Sequence, residues 1–276
     1  MGRLLTPTQQ DRYAQDGFLF PIAVLTADEV RRFRQASDDL EERLGGRPRT
    51  VDVRQMHLHF PWAFELASHP RVLDAAEDVL GPDLLVWATE LFAKHPEDGV
   101  VSIGWHRDEP YMGLEPQYTT TAWISLGEST AANGCMRVVR PAAQVPRSAA
   151  GSTSRMSRRD DNGRTAESPS EGDEIIDVVL QAGQMSLHTP RVLHGSGPNG
   201  SREKRVGFAV RFVAPRARTV QSRPPAVLVR GRDTFGHFEL VDPPVADDAE
   251  AAVGGLRESA MRHLDAVLQN LERCRC

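Results

Sequence analysis

Cysteine is scarce in this chain. Its 276 residues hold three, Cys135, Cys274 and Cys276, with no C-x-x-C pair and no even framework. A disulfide scaffold is thereby excluded, and a reducing compartment, the cytoplasm, is expected. The Cys274-x-Cys276 pair reads as a terminal tail rather than a metal site. Positive charge is not in surplus either: 33 Lys and Arg stand against 38 Asp and Glu, for a net charge of −5. No overall basic field marks nucleic acid as the partner. Long apolar runs are missing too, and the N-terminus lacks the charged-then-apolar pattern of an export signal, so neither a membrane span nor secretion is expected.

What is present fits one domain. A mass of 30.5 kDa suits one large domain of the all-β barrel type. Residues 1–83 are expected to be mainly helical. Thr6 can cap a first helix, which leads into a strand over Gly17-Phe18-Leu19-Phe20 that ends at Pro21. Thr26-Ala27-Asp28-Glu29 is a capping box, followed by a face of Val30, Phe33, Leu40 and Leu44 that Gly45-Gly46 stops. Pro70 opens a further amphipathic helix carrying Val72, Leu73, Ala76, Val79 and Leu80, which should pack outside a sheet.

From residue 84 to about 230 the period becomes strand-like. Runs at 84–93, 100–106, 119–126, 136–139, 175–180, 184–188 and 206–213 are split by Gly, Pro and Asn. Many short strands with helices gathered before and after predict a mainly β fold with flanking helices, a double-stranded β-helix or jelly roll of the cupin-like kind. Two strands declare their faces. Val206, Phe208, Val210 and Phe212 should pack against helices or the opposite sheet, leaving Arg205, Gly207, Ala209 and Arg211 on the face that could line a cavity. Likewise Ala122, Ile124 and Leu126 oppose Thr121, Trp123 and Ser125. Residues 141–174, polar and without apolar period, read as a mobile lid beside the site. A terminal helix is expected over about 257–273, burying a stripe of Leu264, Val267, Leu268 and Leu271.

The chemistry concentrates in Trp105-His106-Arg107-Asp108. On an extended strand, residues i and i+2 share a face, so His106 and Asp108 can offer a nitrogen and a carboxylate oxygen to one ion. A third ligand is needed; His194 is the candidate, with His188 competing. Two histidines and one carboxylate on one face of an octahedron leave three open positions, which suits ferrous iron and oxygen chemistry. His57 and His59 share a strand face if their segment is extended. They then read as substrate contacts, as a second metal pair, or as plain histidines beside an apolar wall.

In order along the chain stand Gly81-Pro82-Asp83-Leu84-Leu85, Trp-His-x-Asp at 105–108, Thr121-Ala122-Trp123-Ile124-Ser125-Leu126, Asn133-Gly134-Cys135-Met136-Arg137-Val138-Val139, and His194-Gly195-Ser196-Gly197-Pro198-Asn199. This set resembles the phytanoyl-CoA dioxygenase family of iron(II)- and 2-oxoglutarate-dependent oxygenases over roughly residues 10–235. Its pattern is similar to the bacterial branch that includes the non-haem halogenases. Where the family has Pro-Gly-Ser-His, this chain has Arg140-Pro141-Ala142-Ala143.

The resemblance implies His106, Asp108 and His194 as iron ligands and prefers His194 to His188, which becomes pocket wall or support. It implies Arg205 and Ser196 as holders of the far carboxylate of 2-oxoglutarate, with Arg211 the alternative to Arg205, Trp123 and Thr121 as further co-substrate-binding residues with Trp123 a pocket wall, and oxygen as third reactant. Halogenases of the branch carry a small residue where this chain has Asp108, so hydroxylation is the expected outcome. Desaturation, epoxidation or halogenation use the same machinery, and a non-catalytic metal-binding barrel is the reading from another class. The implied substrate is a small amino-acid-like or natural-product intermediate, free or tethered to a carrier protein, approached by Tyr111, Glu109, His57, His59 and Arg211. Oligomeric state is not readable from these patterns.

Overall fold

The protein is described here by a computed structural model. It covers residues 2–48, 52–98, 102–115, 118–140, 167–219, 223–245 and 249–273. The segment 141–166, most of the expected lid, lies outside the described residues, as do Val100 and both terminal cysteines.

The N-terminal helices form where their caps place them. In α1 (Pro7–Asp16) the Thr6 side chain accepts from the Gln9 amide while the Gln9 side chain answers the Thr6 amide, and Gly17, at φ 81°, closes the other end. Thr26 and Glu29 repeat the same reciprocal cap on α2 (Ala27–Arg43). Proline fills the first position of α3 (Pro61–Ala67) and of α4 (Pro70–Leu80), where a missing N–H costs nothing. Strand β1 (Phe18–Ala23) does not end at Pro21 as expected. It is an edge strand whose register skips between Leu19 and Ile22, and an edge irregularity is where a residue without an N–H is tolerated.

Two sheets follow. The larger has seven strands in the order β1, β8 (Gln184–His188), β5 (Thr119–Ser125), β10 (Arg205–Val213), β2 (Leu84–Lys94), β12 (Pro225–Arg230) and β13 (Glu239–Leu240). The smaller has β3 (Ile103–His106), β9 (His194–Ser196), β6 (Met136–Arg140) and β7 (Glu174–Asp177). A helical turn, α5 (Glu109–Met112), links β3 to β4 (Leu114–Glu115), which pairs with β11 (Arg218–Thr219). The architecture is the jelly-roll type, strands facing strands with helices on the outside.

Side-chain alternation explains the layering. Val206, Phe208, Val210 and Phe212 join Ala122, Ile124 and Leu126 in the main core, against Phe33, Leu66, Val72 and Leu73 of the helices. The opposite face of the same strands looks toward the small sheet. There Trp123 and Ala209 of the large sheet pack with Met136 and Val138 of the small one. Residues of alternate parity thus separate core from cavity, as period two requires.

The C-terminal helix α6 (Ala249–Arg273) begins about eight residues before the expected start. It docks through Leu256 and Ala260, both fully buried, whereas of the expected stripe Leu264 and Val267 are only half-buried and Leu268 is 57% exposed, and the Leu271 side chain lies outside what is described. Polar contacts complete the docking, from Arg257 to Asp52 at 2.7 Å, Ser259 to His59 at 2.9 Å and His263 to Gln55 at 3.1 Å. Among the described residues no helix is long and apolar enough to cross a membrane.

Candidate metal centre

His106 is the last residue of β3 and His194 the first of β9, and the two are cross-strand partners in antiparallel register. Their rings lie 4.2 Å apart between centroids. Gly195 is what lets the strands meet so closely, since a Cβ there would fall 2.9 Å from the Ile103 carbonyl oxygen. Asp108 arrives by a different route from the one expected. It is not on the strand: the chain bends after His106, and Asp108 takes the N-cap position of α5 with φ −77° and ψ −24°. The His-x-Asp spacing works because this strand-to-helix turn, and not the pleat, swings the carboxylate back, placing Oδ1 3.7 Å from His106 Nε2.

One potential ligand atom from each of His106, Asp108 and His194 lies within 4.8 Å of the others, and all three residues are buried. The donor chemistry fits a divalent cation. His106 Nδ1 lies 2.8 Å from the Gly104 carbonyl oxygen and His194 Nδ1 2.9 Å from that of Val192. A carbonyl only accepts, so each Nδ1 carries the proton and each Nε2 the lone pair. Burial alone would raise the Asp108 carboxyl, but the Arg211 guanidinium leads the opposing charge and the group lies well below the usual carboxylate range. The aspartate is therefore ionised, as a ligand must be.

Around this triad the two sheets line a cavity. Its walls include Phe92, Thr121, Trp123, Met136, His188 and Ser196, with Arg205 at one end and Arg211 at the other. Thr121 Oγ1, His188 Nδ1 and Arg205 Nε are buried without a hydrogen-bond partner, polar atoms of the kind a bound ligand would satisfy. The His188 ring stands 4.9 Å from that of His194, and burial drives its pKa down to about 3. It is a neutral wall residue and no member of the metal cluster.

At the end beyond Trp123, Arg205 Nη1 donates to the Gly134 carbonyl at 2.6 Å, and its guanidinium lies 5.1 Å from the indole centroid. Trp123 lies flat over β10 only because position 207 is glycine: a Cβ there would sit 1.9 Å from the indole. Lys94, opposite Arg205 in the ladder, is also buried here and reaches Ser196 Oγ at 2.7 Å. At the other end Arg211 approaches Glu90 at 3.5 Å and Asp108 at 3.8 Å, and Arg54 pairs with Glu90 at 3.0 Å.

Of the residues expected near a substrate, Arg211 lines the cavity and Tyr111 sets its ring 6.4 Å from that of His106. Glu109 does not face inward; it pairs with Arg191 at 3.1 Å toward the surface. His57 and His59 share no strand face, because Met56–Leu58 is a single helical turn entered through Gln55, whose φ is 57°. His57 is fully buried against Thr89, with burial holding its pKa near 3, while His59 bonds Ser259 of α6. Neither lines the cavity nor forms a metal pair. Reading by motif missed Lys94 and Glu90. Their signal was period two along β2, which puts residues 90, 92 and 94 on the same sheet face as their ladder partners Ala209, Gly207 and Arg205.

A model of the phytanoyl-CoA dioxygenase (PhyH) family matches residues 13–207. The sequence is 26% identical over 164 residues to a probable phytanoyl-CoA dioxygenase of Caenorhabditis elegans, which covers 50% of this chain and 53% of that protein. The chain thus spans about half the length of this curated relative. Among solved structures, the non-heme monooxygenase ThoJ in its nickel complex superposes with a TM-score of 0.76 at 30% identity, over 95% of this chain and 99% of that one. CytC3 with Fe(II) and alpha-ketoglutarate shares the fold at a TM-score of 0.63 and 21% identity, over 87% and 94% of the two chains.

Proposed function

The chain belongs to the phytanoyl-CoA dioxygenase family of iron- and 2-oxoglutarate-dependent oxygenases, and from that premise we propose that it hydroxylates an unactivated C–H bond of a small molecule. The observation that carries this reading is the ionised carboxylate of Asp108 beside His106 and His194. A protein carboxylate fills the position that halogenases of the resembling branch leave for chloride, and the monooxygenase description of ThoJ favours insertion of one oxygen atom. Iron(II) with 2-oxoglutarate and O2 supplies the oxidant: one oxygen atom enters the substrate as hydroxyl, the other enters succinate, and CO2 is released.

The protein's own groups have separable parts. His106, Asp108 and His194 would hold the metal, their lone pairs set by the backbone acceptors behind them. Arg205 and Ser196 would take the far carboxylate of 2-oxoglutarate, a guanidinium matching a carboxylate by two parallel N–H donors. Phe92, Trp123 and Met136 would give the cavity its apolar lining. The substrate class we infer is an amino-acid-like or natural-product intermediate, free or carrier-tethered, entering on the Tyr111 and Arg211 side.

The test is an anaerobic titration with iron(II) and then 2-oxoglutarate, read by the visible charge-transfer band of a chelated 2-keto acid. Succinate release and product mass are then measured across small-molecule candidates. A band, with a product heavier by one oxygen, is expected. Iron binding without a band, or a product that forms only with chloride, overturns the reading.

A further inference from the structure

Lys94 ends β2 directly opposite Arg205, and each is less than 5% exposed. Among the described residues, neither forms an ion pair with a carboxylate. The Lys94 ammonium is instead surrounded by three oxygens: Ser196 Oγ at 2.7 Å, the Ser196 carbonyl at 3.4 Å, and the Gly197 carbonyl in close contact. Asn199 fixes the strand end from behind, its Nδ2 donating to the Lys94 carbonyl at 2.9 Å and to that of Glu203 at 2.8 Å. The lysine is therefore held, buried, against the hydroxyl that faces the cavity beside Arg205.

We propose that Lys94 is the positioning residue of the 2-oxoglutarate clamp: as an ammonium it donates to Ser196 Oγ and turns the serine proton toward the ligand's far carboxylate. This rests on the preceding reading that 2-oxoglutarate is the molecule held here. The hydrogen-bond inventory enforces it. An ammonium has three donors and no acceptor, and here it meets three acceptors. Ser196 Oγ takes one of those bonds, so its own proton is left for the cavity. A neutral amine reverses the arrangement. Its lone pair can be answered only by the serine O–H, since neither carbonyl donates, and Ser196 would then show a bare lone pair to an incoming carboxylate. One buried charge decides whether the clamp offers a donor or an acceptor.

The surroundings put that charge within reach of ordinary conditions. Burial lowers the lysine pKa to about 7, and Arg205 and Arg137 add to the lowering, while Cys135 and Asp98 oppose it. An arriving carboxylate favours the charged form, so co-substrate binding draws a proton onto Lys94. The sign follows: 2-oxoglutarate binds more weakly as pH rises above about 7. Cys135, raised to about 11, and Arg205, lowered to about 10, titrate above that window.

The experiment compares wild type, Lys94→Met and Ser196→Ala in the anaerobic iron(II) titration. Each is titrated with 2-oxoglutarate and with 2-oxovalerate, which keeps the chelating end but has no far carboxylate. Lys94→Met should weaken 2-oxoglutarate about 10- to 100-fold and leave 2-oxovalerate within about 2-fold. Wild-type affinity for 2-oxoglutarate should fall between about pH 7 and 9 while that of Lys94→Met stays flat. Ser196→Ala keeps the ammonium and should show the same selective loss, which preserves the test where Lys94→Met fails to fold. Equal losses for both keto acids, an unchanged pH profile in Lys94→Met, or unchanged 2-oxoglutarate affinity in Ser196→Ala overturns the proposal. A wild-type protein with no 2-oxoglutarate band overturns instead the functional reading on which it stands.

Discussion

The two ends of the cavity are built from the same pair of strands and differ in who supplies the negative charge. At the Arg211 end, β2 answers with Glu90, which pairs Arg54 as well, and Asp108 completes the group. At the Arg205 end, six residues and about 20 Å of extended strand away, β2 presents a second cation, Lys94, and only neutral oxygens surround the two. A buried charge must be compensated, and the compensation can come from the chain or from a ligand. The balanced end is a framework that orients a metal ligand. The unbalanced end is a receptor for an anion.

Each of three substitutions breaks or sharpens that contrast. Asp108→Ala removes a metal ligand and half of the negative charge at the balanced end. Loss of more than about 100-fold in iron affinity and turnover is expected, beyond what loss of a supporting group costs, and full activity in this variant would refute the metal assignment. Glu90→Gln makes the balanced end resemble the other, with two arginines and no shared carboxylate. Breaking a buried pair costs about 3–5 kcal/mol, to be read as a lower thermal midpoint; a destabilisation equal to that of an exposed ion pair would show that Glu90 does not hold the end together. Gly207→Ala presses a methyl into the indole of Trp123 and so disturbs the anion end alone. Overpacking of about 1–3 kcal/mol should accompany weaker 2-oxoglutarate binding with unchanged iron affinity, and an equal fall in both would erase the distinction between the ends.

Much of this was legible in the residues. The cap at Thr6, the capping box at Thr26 and the proline start at 70 mark helix beginnings through local backbone chemistry, which sequence reports directly. Parity along 205–212 and 121–126 assigned core and cavity faces correctly, because a one-residue slip would bury both arginines in the wrong layer. The readings that failed depended on contacts distant in sequence. His57 and His59 look like a strand pair until Thr89 and the C-terminal helix bend the segment around a left-handed Gln55. Leu268 looks like core until α6 docks by its other turns. Asp108 lay on the right side of the site for the wrong reason, a turn in place of a pleat. Lys94 carries no motif of its own, and its meaning arises only from the strand that faces it.

The acceptors behind His106 and His194 are both main-chain carbonyls, each two residues upstream of the histidine it orients. No side-chain replacement can delete a peptide oxygen. The tautomers of the metal ligands are therefore insulated from variation in the cavity walls, and Phe92 or Met136 can be exchanged to alter what enters without retuning the nitrogens that face the ion.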